Sequence, residues 1–271
     1  MDRRLVGACT ALLLAVAGCS QAAPRDDAGP ISASAEPTPT SLPFEEGETR
    51  TDVIDGQRVR LDLPLDDDLV GVAVYFHGKG SGVESKMGQP WLDSIRAEGW
   101  AVASGDLHGD AWGNADAVAS AVELADWAED ETGAEVELLI GGSMGGVASL
   151  NALIDGDLTA NCWYGAEPVI DLTAVSSVPD ADAQIAALYG GPPPDSANPA
   201  ARLDRLPMET RYAVVSSPAD FWVPPARHAS RLILAVKAAG GTVVPISAEG
   251  DHLDESHFRP QDLRTFAADC D

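Results

Sequence analysis

One serine lies among four glycines in the stretch Gly141–Gly146, GGSMGG. The apolar run ELLI before it predicts a buried strand, and GGVASLNALI predicts a helix directly after it. A strand-to-helix turn this tight exposes the hydroxyl of Ser143 and leaves no room for side chains at Gly141 and Gly145. Serine becomes a nucleophile when a neighbouring base removes its proton, so the pattern predicts acyl transfer if a base and an acid lie close by.

Two downstream loops carry the acid and the base that such a serine requires. Asp220 lies in the stretch VVSSPADFWVPP, and His252 lies in SAEGDHLDESHF. Each follows a predicted strand, and in sheets of this kind the chemistry collects where the carboxyl ends of parallel strands meet. Gly250 allows the last loop to bend back over that edge.

The G-x-S-x-G motif and the chain order serine, aspartate, histidine resemble the α/β-hydrolase family over nearly all of residues 49–270. The resemblance implies that Ser143 attacks an acyl carbonyl, His252 takes its proton and Asp220 orients the histidine. It also implies an oxyanion hole, in which the backbone N–H of Lys79, after a His-Gly pair, joins that of Met144. Cleavage of a small-molecule carboxylic ester, with no cofactor and no metal, is the expected activity.

The partners of the serine have rivals that the sequence leaves open. Some members of the resembled family place the acid after the preceding strand, where Glu167 and Asp171 lie. His257 competes with His252 as the base, although its position near the last helix favours a capping or packing role. We expect the later aspartate and the earlier histidine to form the site.

The oxyanion loop is also open to two interpretations. Lys79 departs from the apolar residue or glycine often found at this position in the family, so Gly80 is an alternative donor. The remaining histidines are expected to stabilise loops, to pack in the core or to lie exposed: His77, His108 and His228.

Strands and helices alternate along the chain and predict an α/β fold, a mostly parallel sheet with helices on both faces. A hairpin is expected to turn at Asp55-Gly56, and helices are predicted over ESKMGQPWLDSIRAEG and ADAVASAVELADWAEDETG, with Val118, Val122, Ala125 and Trp127 near one side of the second. The segment from about 174 to 207 contains PPP and little periodic structure, so it is expected to form a short cap over the site.

The N-terminal residues have the pattern of a secreted, lipid-anchored protein. Arg3 and Arg4 precede an apolar run that ends in VAGC, which resembles the bacterial lipobox. The resemblance implies a signal peptide over 1–18, lipidation of Cys19 and an extracytoplasmic, membrane-anchored protein. Residues 19–48 are rich in Ala, Pro, Ser and acidic residues and are expected to be a disordered linker before a domain at 49–271.

The net charge bears on which partners the protein can bind, and the cysteines bear on whether it contains a disulfide. The net charge of −26 excludes nucleic acid as a partner, because such a surface repels phosphate backbones. Outside the cytoplasm Cys162 and Cys270 could pair, or both could be buried thiols, and nothing in their spacing decides between these states. We expect a monomer.

Several other functions are weighed against ester cleavage. The chain could be a binding or scaffold lipoprotein on the same fold, or a peptidase or lipase, and fold alone does not choose. A phosphate-binding loop is excluded because no lysine follows the glycines. Trp112 and Trp222 are candidates to line an apolar acyl pocket or to pack on the sheet. A solvated acidic loop explains one further cluster better than a metal site does: Asp251, Asp254, Glu255 and His257.

Overall fold

The computed structural model describes residues 47–65 and 69–270. These residues form one eight-stranded sheet in the order β1-β2-β4-β3-β5-β6-β7-β8. The strands are β1 (Thr49–Ile54), β2 (Gln57–Asp62), β3 (Gly71–Phe76), β4 (Trp100–Gly105), β5 (Val136–Gly142), β6 (Cys162–Ala166), β7 (Arg211–Ser216) and β8 (Val243–Ser247). The helices are α1 (Pro90–Arg96), α2 (Ala115–Thr132), α3 (Gly145–Asp155), α4 (Ala181–Tyr189), α5 (Ala229–Ala238) and α6 (Pro260–Ala267).

The six neighbouring strands β4, β3, β5, β6, β7 and β8 are parallel, and β2 joins them as an antiparallel neighbour of β4. β1 and β2 form the predicted hairpin, in which Asp55 and Gly56 both have positive φ, as a tight hairpin turn requires. Strands β3, β4 and β6 are buried along their whole length, and β5 at every residue except the partly buried Glu137, because helices cover both faces; β8 at the edge is partly exposed. The predicted fold class is confirmed.

Two hydrophobic layers hold the helices on the sheet. Alternate residues of β3 point to opposite faces, so Val72 and Val74 join the core under α2, α3 and α5. Ala73 and Tyr75 join the core under α1 and α6. This two-sided cover keeps the sheet rigid and leaves the carboxyl ends of its strands open for loops.

The first predicted helix is shorter than the sequence pattern indicates. Residues 83–88 form turns, and α1 begins only at Pro90. Lys86 and Gly88 both have positive φ, a conformation that no right-handed helix can contain. Proline at the first position then starts the helix, because its missing N–H would have had no helical partner there.

The buried face of α2 is centred on different residues from those that the sequence pattern predicts. Val118 and Ala125 are buried as expected, whereas Val122 and Trp127 lie at its margin and are only partly buried. The centre of the buried face is formed by Ala121, Leu124 and Ala128.

The segment between β6 and β7 holds α4 and four short 3₁₀ turns. The indole N–H of Trp112 donates to Gln184 at 2.9 Å, and the hydroxyl of Tyr189 donates to the carbonyl of Trp112 at 3.1 Å. Trp112 is buried in a small core with Val147 and Ile185. It therefore fixes α4 over the sheet edge.

The last helix is tied to the middle of the sheet by a covalent bond. Cys162 at the start of β6 and Cys270 after α6 form a disulfide with a Cα–Cα distance of 5.6 Å.

The proposed signal peptide (1–18), Cys19 and nearly all of the linker (19–48) lie outside the described residues. Within the described part of the chain, no helix has the length and apolar character needed to cross a membrane.

Candidate active site

The nucleophile candidate lies on a strained turn between β5 and α3. Ser143 has φ +47°, a left-handed conformation that favours glycine. A Cβ on Gly141 would lie 2.7 Å from the hydroxyl of Ser149. A Cβ on Gly145 would lie 2.1 Å from the carbonyl oxygen of Phe76, so this glycine is required by the neighbouring strand β3 and not by the turn itself.

Folding brings Ser143, His252 and Asp220 into one hydrogen-bonded line. Ser143 Oγ lies 2.9 Å from His252 Nε2, and His252 Nδ1 lies 2.8 Å from Asp220 Oδ2. The side chains of the histidine and the aspartate are 3 % and 2 % exposed. In this arrangement Nδ1–H donates to the carboxylate and the bare Nε2 can accept the proton of the serine.

The environment of Asp220 keeps it ionised. Burial alone would raise its pKa, but the hydrogen bond from His252 and a second one from the N–H of Val223 at 2.8 Å lower the pKa below its usual range. A charged carboxylate at this position stabilises an imidazolium when the histidine takes a proton.

Glu167, the rival acid, lies close to the same histidine but makes no hydrogen bond to it. Its Oε2 is 3.5 Å from His252 Nδ1 and accepts the N–H of Leu253 at 2.8 Å. Its Oε1 is buried with no hydrogen-bond partner among the described residues. Burial raises the pKa of Glu167 to about 7, opposed by His252 and by the bond from Leu253. The structure therefore places Asp220, and not Glu167, in line with the serine.

The other two rivals, His257 and Asp171, make no hydrogen bond to Ser143 or His252. His257 is buried 3.4 Å from Oε2 of Glu167, and burial lowers its pKa. Asp171 is held by Arg231 at 2.5 Å. Each remaining histidine faces a backbone or side-chain partner elsewhere in the fold: His77 with the carbonyl of Asp106, His108 with Ser120, and His228 with the amides of Ile170 and Asp171.

Two backbone amides are free to bind an oxyanion. The N–H of Gly80 donates to Asp110 Oδ1 at 2.5 Å, so the alternative donor is already engaged. Among residues 47–65 and 69–270, the amides of Lys79 and Met144 have no acceptor. Gly78 lies directly beside the nucleophile, since a Cβ there would be 3.5 Å from that of Ser143. This geometry favours Lys79 as the second donor.

A cavity of about 380 Å³ opens onto the serine and the histidine. Trp222 lines it, with its ring 5.4 Å from that of His252, whereas Trp112 is buried under the cap and does not reach it. The cap contributes Val178 and Pro179. Sequence reasoning missed further lining residues, which come from the turns before α1 and from the last loop: Ser81, Ser85, Lys86 and Phe258. Lys86 was missed because the sequence predicted a helix there, and hydrophobic periodicity does not reveal that its φ is positive.

Three groups beside the histidine have the chemistry of metal ligands. Ligand atoms of Glu167, Asp220 and His257 lie within 4.8 Å of one another. The hydrogen bond from His252 already engages Asp220 at 2.8 Å. We therefore interpret the group as the buried polar surroundings of the histidine and derive no metal chemistry from it.

No model of a known protein family matches the sequence, and no curated protein matches it significantly. Solved structures do resemble it. The Staphylococcus aureus fluorophosphonate-binding serine hydrolase FphF superposes with a TM-score of 0.65 at 13% identity, over 83% of this chain and 98% of its own. Thermogutta terrifontis esterase 2 superposes with a TM-score of 0.64 at 19% identity, over 84% and 95%.

A puromycin-hydrolysing peptidase from Mycobacterium tuberculosis also superposes, with a TM-score of 0.63 at 18% identity over 85% of this chain. This chain spans only 40% of the length of that peptidase and 35% of a Bacteroides ovatus protein described as a dipeptidyl aminopeptidase IV. At such identities the resemblance concerns the fold alone. Together with the eight-stranded, mostly parallel sheet, it shows that this chain has the α/β-hydrolase fold.

Proposed function

We propose that this protein is a serine hydrolase that cleaves carboxylic esters with Ser143, His252 and Asp220. The observation that carries the proposal is the continuous line of hydrogen bonds, 2.9 Å and 2.8 Å long, from the serine through the histidine to the aspartate. This line ends at a serine on a strained turn that faces a cavity.

The first half of the proposed reaction forms an acyl-enzyme. Ser143 Oγ attacks the ester carbonyl while His252 Nε2 takes its proton, and Asp220 stabilises the resulting imidazolium. The carbonyl oxygen becomes negatively charged and is bound by the amides of Lys79 and Met144, for which the described residues offer no other acceptor. The C–O bond to the alcohol then breaks, and the imidazolium gives its proton to the departing alkoxide.

The second half reverses these roles with water as the nucleophile. His252 takes a proton from water, the hydroxide attacks the acyl carbon, and the bond to Ser143 breaks as the serine recovers its proton. The products are one alcohol and one carboxylic acid for each water consumed. Each oxyanion donor typically contributes about 3 kcal/mol to the stabilisation of the transition state.

Two observations favour small esters over peptides as substrates. Structural neighbours matched over nearly their full length include a fluorophosphonate-binding serine hydrolase and an esterase, whereas the peptidases named above are matched over less than half of their length. The cavity of about 380 Å³ is at the small end of the range for small-molecule sites.

The test is labelling with a fluorophosphonate probe, followed by assays on p-nitrophenyl esters of rising chain length. The wild-type protein should be labelled and should hydrolyse the shorter esters. Ser143→Ala should retain its circular dichroism spectrum and lose both activities. Hydrolysis by a folded Ser143→Ala variant would contradict the mechanism, and a folded wild type that is neither labelled nor active would favour a binding protein.

We also propose that Cys19 carries a lipid that anchors the enzyme to the outer face of a bacterial membrane. The support is the sequence order of arginines, apolar run and VAGC. In a bacterial host, a palmitate analogue should label the wild-type protein, and detergent should be needed to release it from membranes. Cys19→Ser should abolish labelling, and equal labelling of that variant would contradict the proposal.

A further inference from the structure

The lysines of this protein are distributed unlike its arginines. Every arginine in the described part of the chain has a carboxylate within 4.0 Å. The whole sequence has only three lysines, Lys79, Lys86 and Lys237, and none of them has a carboxylate of the described residues within that distance. In a chain with 43 acidic residues, an ammonium group that lacks a partner is the exception.

Two of these three lysines line the cavity in front of Ser143. Lys79 and Lys86 are both half-buried, and the Nζ of Lys86 lies 3.7 Å from the centre of the Phe258 ring, which also lines the cavity. A cation over an aromatic face is held in place without being neutralised. Lys86 also has φ +61°, a conformation that favours glycine, and yet this position carries a long cationic side chain that lines the cavity.

The charges that face these lysines do not balance them. Glu167 and Glu255 act on Lys86 only from beyond ion-pair distance, and burial lowers the pKa of Lys86. Among the described residues, the carboxyl group that lines the cavity with the lysines is that of Glu167, and burial raises its pKa to about 7. At or below neutral pH the wall of the cavity therefore has an excess of positive charge.

We propose that the substrate is an ester that carries a carboxylate, which is bound by Lys86 together with Lys79. This inference rests on the proposed ester hydrolysis and names its substrate class. A carboxylate in the cavity would give two unpaired ammonium groups the partner that every described arginine already has. The apolar walls, including Trp222 and Phe258, would hold the carbon chain between the two polar ends.

The carboxylate can lie on the acyl or on the alcohol side of the scissile bond, and paired probes distinguish the two. Monomethyl adipate against methyl hexanoate tests the acyl side, and 4-acetoxybutanoate against butyl acetate tests the alcohol side. The measured quantity is the ratio of kcat/KM for the charged ester to that for its neutral partner. Using this ratio cancels any general loss of activity in a variant.

In at least one pair, Lys86→Met should lower this ratio by about tenfold or more, because a hydrogen bond to a charged group is lost. Lys86→Arg should restore much of it, and Lys79→Met should also lower it. Lys237→Met is the matched control, since this lysine is exposed at the end of α5 and equally unpaired. It should leave both ratios at the wild-type value.

The inference is overturned if Lys86→Met and Lys237→Met give equal ratios in both pairs while neutral esters are still cleaved. If the wild type cleaves no ester at all, the proposed function has failed. The preference for a carboxylate is then tested separately, by measuring ester binding. Calorimetry with Ser143→Ala would then have to show tighter binding of monomethyl adipate than of methyl hexanoate. Loss of that difference in the added Lys86→Met background would support the lysine, and its persistence would refute it.

Discussion

The buried carboxyl of Glu167 makes a quantitative prediction about stability and pH. Its side chain is fully buried, one of its oxygens has no partner in the described part of the chain, and burial raises its pKa from 4.5 to about 7. Below pH 4.5 the group is protonated in both the folded and the unfolded chain. Between pH 4.5 and about 7 the unfolded chain releases the proton while the folded chain retains it, so the free energy of unfolding falls.

The size of this loss follows from the two pKa values. At about 1.36 kcal/mol for each pH unit, the interval corresponds to about 3 kcal/mol, of which about 2.5 kcal/mol falls between pH 5 and pH 8. Glu167→Gln removes the ionisation and keeps an oxygen that can accept the N–H of Leu253. The stability of this variant relative to the wild type should therefore rise by about 2.5 kcal/mol over that range.

Urea denaturation followed by tryptophan fluorescence at pH 5 and pH 8 measures both proteins. The lower limit stays above the isoelectric point of about 4.2, where the chain would tend to precipitate. Glu123→Gln, an exposed glutamate on α2, controls for the loss of one carboxylate from an acidic surface. A difference between Glu167→Gln and the wild type that stays constant within about 0.5 kcal/mol at both pH values would refute the reasoning.

Three further predictions test the site and the fold. Asp220→Asn should lower kcat by about 10⁴, because the amide favours the wrong tautomer of His252 and carries no charge to stabilise the imidazolium, whereas Glu167→Gln should lower it far less; a larger loss in Glu167→Gln would assign the acid to the glutamate. Replacing Cys162 and Cys270 together by serine should lower the free energy of unfolding by about 2–5 kcal/mol, and a melting temperature equal to that of the wild type would contradict this. Gly145→Ala should destabilise the protein by about 3 kcal/mol or more, because its Cβ meets the backbone oxygen that ends β3; a normal unfolding curve would exclude the clash.

The parallel sheet and the position of Ser143 were predictable because their signals are local. Continuous apolar runs such as GVAVYF are typical of strands covered on both faces, and glycine at 141 and 145 marks a turn whatever surrounds it. The reason for Gly145 was not local, however. The sequence predicts crowding within the turn, whereas the structure shows the backbone of β3 as the obstacle.

The choice between acids depended on distances that no sequence pattern contains. Asp220 and Glu167 both follow strands at the same edge, and both lie within 4 Å of the same nitrogen of His252. Their distances of 2.8 and 3.5 Å are set by how two loops fold after β6 and β7. The late start of α1 was likewise hidden, because the left-handed backbone of Lys86 interrupts the predicted helix and helix propensity does not indicate it.

The chain as a whole is negatively charged, whereas two lysines line its cavity. The two are compatible because surface charges act only over a short distance in salt solution. At physiological ionic strength the field of an exposed carboxylate decays over about 8 Å, so a small anion is repelled only weakly until it reaches the protein surface. Within the cavity, Lys79 and Lys86 would act on it at contact distance, where screening is weak. A long anionic polymer would instead meet many surface carboxylates at once. A net charge of −26 would thus repel polyanions, while the proposed carboxylate ester would still have a favourable place to bind in the cavity.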